Sequence, residues 1–344
     1  MKKANRGLLA GAGVLLLLAG GCQSDNHTSK AAAHPPPAVP LLHLQRTVPL
    51  PRVKGGFDLM ALDATGQRLF VAAEDNHTVE VIDVRRGQTL ASLPGFDEPK
   101  WVVYRPEGNR LFVSTGGDGR VTELDGTTYK KVRSYAFREA CNNLRYDSLA
   151  HQLVVGVGKS FGALGLIDTE RNVKAGEIPL ASYAKQFELD GNLIYVNEPA
   201  LNQVEVVDRS TRKPVAVWPV TGSSQNIPMA LDRVHHRLFV ACAPGKLVVF
   251  SAPDGKPVAS LPIPADADGI YYDARRARLY ISCGAGSIAV VQQQGPDRYQ
   301  VLQLLSSVPD AGTSLYSAAL DEYFLATPQA ASQTAALRQY QIAK

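Results

Sequence analysis

A four-residue phrase returns along the chain about every forty residues, and this spacing constrains the fold more than any other feature. It reads Arg68-Leu-Phe-Val, Arg110-Leu-Phe-Val, Gln152-Leu-Val-Val, Leu193-Ile-Tyr-Val, Arg237-Leu-Phe-Val, Arg278-Leu-Tyr-Ile and Glu322-Tyr-Phe-Leu. The aligned residues Phe70, Phe112, Val154, Tyr195, Phe239, Tyr280 and Phe324 stand 42, 42, 41, 44, 41 and 44 residues apart. A fixed period of this length in β-rich sequence signals blades arranged around an axis. Seven copies predict an all-β, seven-bladed β-propeller of four-stranded blades over residues 41–344.

Blade 1 illustrates the expected anatomy. Strands are predicted at Leu59–Asp63, Arg68–Ala73, Thr78–Asp83 and Thr89–Pro94, with turns between them. The alternation of Thr78-Val-Glu-Val-Ile-Asp83 suits a half-buried strand. The chain ends after Ala336-Leu-Arg-Gln-Tyr-Gln-Ile342, which leaves blade 7 without a fourth strand of its own. Leu42-His-Leu-Gln-Arg-Thr-Val-Pro-Leu50 carries the fourth-strand pattern and is predicted to complete blade 7. Closure of that kind removes strand edges that would otherwise invite aggregation.

The first 22 residues read as a secretory signal. Lys2, Lys3 and Arg6 precede an apolar stretch from Leu8 to Leu18, and Ala19-Gly20-Gly21-Cys22 follows. This segment resembles a bacterial lipoprotein cleavage box, which implies lipidation of Cys22. Gln23 after the cysteine implies, by the same resemblance, the outer membrane facing the periplasm. Residues 23–40 are polar and rich in proline, as a flexible tether would be. The precursor carries a formal charge of +4, and loss of Lys2, Lys3 and Arg6 leaves +1, because residues 1–22 hold no acid. A charge so close to neutral argues against nucleic acid as a partner. Cys242 and Cys283 share a register in adjacent blades, which diverge from the axis; buried free thiols are expected there.

The pairing of Arg-Leu-Phe-Val with Val-Glu-Val-Ile-Asp resembles the YVTN repeats of the YncE-like propellers, over residues 41–343. That resemblance implies a secreted binding protein and, for the family's namesake, an association with single-stranded DNA.

Superposing the repeats places Asp58, Lys100, Asn142, Asn143, Lys185, Asn226, Asp268, Thr313 and Ser314 at the mouth of the central channel. A few polar groups converging on a concavity are the usual form of a binding site; solvation by water is the plain alternative. The second loops of that face add Glu74, Asp75, Asn76, His77, Asp118, Lys159, Glu198, Asn202 and Lys246. Asp58, Glu74, Asp75 and Glu198 are candidate oxygen ligands for a divalent cation, although Asp-Asn-His is also ordinary turn chemistry. No cofactor is otherwise expected. Gly158-Lys159-Ser160-Phe161-Gly162 spells Gly-x-Ser-x-Gly and contains Gly-Lys-Ser, but it falls between two predicted strands, whereas a nucleophile elbow or a phosphate loop needs a strand-to-helix turn. The sequence lacks a His-Glu-x-x-His helix and a Cys-x-x-Cys-His haem site.

The leading expectation is a non-catalytic, monomeric binding or scaffold module, whose channel face engages an envelope protein, a glycan or a small ligand. A second reading is a metal-dependent hydrolase of lactonase type, with Asp58, Glu198 and Asp268 at the reaction centre and Lys100 or Lys185 stabilising charge. Single-stranded nucleic-acid binding is a third.

Overall fold

The computed structural model describes residues 40–331 and 333–343. The expected signal segment, Cys22 and all of the expected tether but Pro40 lie outside the described residues. Twenty-eight strands form seven antiparallel sheets of four, and among the described residues there is no helix. The inner strands, one from each blade, are Met60–Asp63, Pro99–Arg105, Cys141–Asp147, Phe187–Asp190, Met229–Asp232, Ala267–Asp273 and Ser314–Ser317. In each sheet the four strands follow in order, except in blade 7. There, Leu42–Pro49 is the outermost strand and pairs with Ala336–Ile342, running from Leu42 opposite Ile342 to Pro49 opposite Ala336. The ring closes as the sequence pattern predicts.

The periodic phrase forms the second strand of every blade, and its central residue is the packing anchor. Phe70, Phe112, Val154, Tyr195, Phe239, Tyr280 and Phe324 are each no more than 2% exposed. Full burial of side chains of this size stabilises by about 1.5–3 kcal/mol apiece, and the period therefore marks where the free energy is concentrated. The cores lie between blades rather than within them. Phe70, Val79 and Val81 of blade 1 pack on Val102, Leu111 and Val113 of blade 2, and six similar clusters continue round the ring.

A turn just ahead of each phrase reverses the chain through left-handed backbone. Gln67, Asn109, His151, His236, Ala277 and Asp321 have φ between 49° and 59°, and Gly191 has φ 54°. His151 and His236 thus occupy turns on the face opposite the inner-strand entrances. Neighbouring His235 places Nδ1 2.7 Å from Asp232 Oδ2. Trp101 and Trp218 are core residues, and Cys141, Cys242 and Cys283 are buried free thiols.

Candidate functional site

The mouth of the channel is shaped by irregularities in the inner strands. Pairing register shifts between Pro99 and Trp101, between Cys141 and Leu144, and between Ala267 and Gly269. Each shift is a bulge, and the extra residues are Lys100, Asn142 with Asn143, and Asp268. Bulges release a side chain from ladder geometry and re-aim it, so sequence-predicted mouth positions in blades 2, 3 and 6 coincide with local backbone distortion.

Charged groups from blades 1, 2, 4 and 6 come within electrostatic reach of one another. Lys100 Nζ forms an ion pair with Glu74. Burial pushes the Asp58 carboxyl well above the usual carboxylate range; Asp268 and Glu74 raise it further, against the opposing pull of Lys100 and Lys185. Burial likewise raises Asp268, opposed by Lys185. For Lys100, burial favours the neutral amine, but the hydrogen bond and charge of Glu74, with Asp58 and Glu98, outweigh it and lift the pKa. Carboxyls therefore crowd together around two ammonium groups.

The other predicted mouth residues occupy different surroundings. Asn226 is fully buried, and its amide donates to Asn197 Oδ1 at 2.9 Å and to the Gln203 carbonyl at 2.8 Å. Thr313 donates to the Phe57 carbonyl at 2.9 Å, joining blade 7 to blade 1. Ser314 Oγ lies 2.6 Å from Ser282 Oγ. Asn143 is buried and donates to Asn142 Oδ1 at 3.2 Å. The contacts of Asn226, Thr313 and Ser314 tie separate segments together, whereas that of Asn143 stays within one strand.

The candidate metal ligands are dispersed among structural bonds. Asp75 Oδ2 accepts from the Gly56 amide at 2.7 Å, and Glu74 holds Lys100. Glu198, fully buried in blade 4, accepts from the Ser182 amide at 2.7 Å and from Gln203 Nε2 at 2.6 Å. Burial raises its pKa to about 7, with Glu205 adding to the rise. Among the described residues no three His, Cys, Asp or Glu side chains converge as a metal site requires. Asp58, Glu198 and Asp268 accordingly form no three-ligand group there.

Above the mouth lies a cleft of about 520 Å³ over blades 1, 5, 6 and 7, with Asp75, Asp266, Asp268 and Asp310 in its wall and no Lys or Arg. Glycines bring its backbone close to these carboxylates. A Cβ on Gly55, which has φ 74°, would lie 2.4 Å from Asp75 Cβ; one on Gly312 would lie 2.8 Å from Asp268 Cβ. Gln225, Gln329 and Thr313 complete the polar lining.

Sequence reasoning singled out Lys185 and passed over its neighbour Gln186. Gln186 is buried, donates through Nε2 to the Asp268 carbonyl at 3.2 Å, and accepts through Oε1 from the Met229 amide at 3.3 Å. Asp310 was also missed, because it precedes the last inner strand in a loop that the repeat does not reach.

No family model matches the chain. A curated relative, the YncE protein of Salmonella typhi, is 29% identical over 98 residues, and the match spans 28% of this chain and 28% of that protein's length. Solved structures share the fold at low identity. The WD40 repeats of RRP9 superpose with TM-score 0.76 at 10% identity, covering 87% of this chain and 97% of that one. A chain of the mitotic checkpoint complex gives 0.74 at 16%, covering 92% and 98%. Kuenenia stuttgartiensis hydrazine synthase gives 0.71 at 16%, covering 80% and 94%. The seven-bladed ring, the recurring blade phrase and the YncE match together fit a YncE-like propeller of the YVTN-repeat kind.

Proposed function

We propose that this protein is a non-catalytic binding module, held by a lipid on Cys22 at the extracytoplasmic side of a bacterial membrane, that receives a basic segment of a partner protein in the cleft above its channel. The observation that carries the reading is the cleft wall, which holds four aspartates and no Lys or Arg, with Lys185 reaching only Asp268 among them from outside the wall. A Lys or Arg side chain from a partner would supply the cation that the wall lacks, and charge complementarity of this sort governs partner choice and encounter rate. Structural neighbours named for protein assemblies, such as the mitotic checkpoint complex, favour a protein over a small metabolite. The lipobox-like Ala19-Gly20-Gly21-Cys22 supports the anchor.

A photo-crosslinking residue at exposed Gln329 tests the cleft in cells. The reading expects a discrete adduct that is lost in the Asp75→Asn/Asp266→Asn/Asp310→Asn variant and weakened by raised salt. An adduct of equal yield in that variant would refute it. Palmitate labelling that persists in Cys22→Ser would refute the anchor.

A further inference from the structure

A second cavity, of about 400 Å³, runs along the inner strands and receives residues from all seven blades. It lies toward the face opposite the aspartate cleft, since Arg233, in the turn that ends the blade 5 inner strand, helps to line it. Its volume falls within the usual range for small-molecule sites, roughly 300–1,000 Å³.

The walls follow from the repeat itself. The inner-strand residues paired with the seven periodic anchors are Ala61, Val103, Arg145, Glu188, Ala230, Tyr271 and Leu315. Four are aliphatic, so the middle of the channel is greasy except where blades 3, 4 and 6 supply a guanidinium, a carboxylate and a phenol. Trp101, Tyr104, Tyr146 and Tyr272 add aromatic surface around them.

Arg145 is the central group. Its Cζ lies 4.4 Å from the centroid of the Trp101 ring, and its side chain is 23% exposed. Among the described residues it makes one side-chain hydrogen bond, from Nη2 to Glu188 Oε1 at 3.2 Å. A guanidinium has five N–H donors in a rigid fork suited to a carboxylate, and most of that fork is unspent. Glu188 lies between two cations, with Oε2 3.8 Å from Arg233. Arg233 is 56% exposed at the rim, and it also stands 3.7 Å from Asp190. The charged residues in the lining thus comprise two arginines and one glutamate. Tyr271 is fixed by donating its hydroxyl to the Ser314 carbonyl at 2.6 Å, which holds its ring as a wall.

We propose that this cavity binds a flat aromatic monocarboxylate, with the ring among the tyrosines and the carboxylate on the free edge of Arg145. The N–H groups that Arg145 leaves unbonded select an anion, the fork selects a carboxylate, and aromatic faces select a planar ring. The site is separate from the aspartate cleft and does not depend on the function proposed for it.

Calorimetric titration of the purified full-length protein with benzoate and with 4-hydroxybenzoate tests the proposal. Saturable binding is expected, weakened about tenfold or more in Arg145→Met and partly recovered in Arg145→Lys, with cyclohexanecarboxylate weaker and benzylamine silent. Arg233→Gln, a change at an exposed rim residue, is expected to weaken binding about threefold and decides the matter if Arg145→Met does not fold. The proposal is overturned if the wild type shows no saturable benzoate binding. It is equally overturned if Arg145→Met, or Arg233→Gln where that variant decides, binds as the wild type does, or if cyclohexanecarboxylate or benzylamine matches benzoate.

Discussion

Gln186 Nε2 donates to the carbonyl oxygen of Asp268 at 3.2 Å, so a side chain of blade 4 reaches the inner strand of blade 6. The same amide accepts from the Met229 backbone of blade 5. One buried group therefore ties three blades together at the level where Asp268 meets the acidic mouth. Gln186→Ala leaves a backbone amide and a carbonyl without those partners, and a loss of about 1–3 kcal/mol is expected. Urea denaturation measures it; a change below about 0.5 kcal/mol would show that the tie is energetically idle.

Ring closure makes a prediction that distinguishes two residues of the same strand. Leu42 is 2% exposed and packs in the cluster between blades 6 and 7, whereas Leu44 is 53% exposed. Leu42→Ala is expected to cost about 2–5 kcal/mol. Leu44→Ala is expected to stay within about 0.5 kcal/mol. Equal effects in equilibrium unfolding would mean that Leu42–Pro49 does not close the ring through its buried face.

Glu198 gives stability a pH slope. Its folded pKa is about 7, above the ordinary glutamate value of the unfolded chain, because of burial first and Glu205 after it. A raised acid stabilises fully below the unfolded pKa and loses that contribution as pH rises through the folded one. Stability is therefore expected to fall between about pH 4.5 and pH 7 by about 3 kcal/mol from this group. Glu198→Gln should flatten the slope in urea titrations across that range. An unchanged slope would assign the pH dependence to other groups.

Divalent cations should leave the domain unmoved. Glu74 is paired with Lys100, Asp75 with the Gly56 amide and Glu198 with Ser182 and Gln203. Melting temperatures with excess calcium and with a chelator are expected to coincide. A calcium-dependent rise that disappears in Asp75→Asn would restore the metal reading.

The repeat was legible because every anchor answers the same packing demand, and a shared demand leaves a shared residue at a fixed period. The closing strand was legible because Leu42-His-Leu and the late Pro49 imitate the other outer strands. The mouth was less so. Asn226 and Ser314 carry side chains of the right polarity at the right period, yet they bind Asn197 and Ser282 rather than facing the mouth. Polarity at a repeat position does not say whether water or a neighbouring blade satisfies it. The bulges that re-aim Lys100 and Asp268 break the period by one residue, which superposed repeats do not register. Arg145 and Glu188 left a usable sign, since each pairs with a repeat anchor, but only pairing data reveal that register.

The order of strands in blade 7 has a mechanical meaning. Leu42–Pro49 is held along one edge only, by seven residue pairs with Ala336–Ile342. Ala336–Ile342 is itself gripped on both sides, by Leu42–Pro49 and by Glu322–Thr327. Tension applied through the chain ahead of Leu42 would load a single ladder, while the same pull on the opposite terminus would strain a ladder on each side. The domain is thus built with a weak end and a strong end, and the weak end is the one that follows residues 1–39 in the sequence.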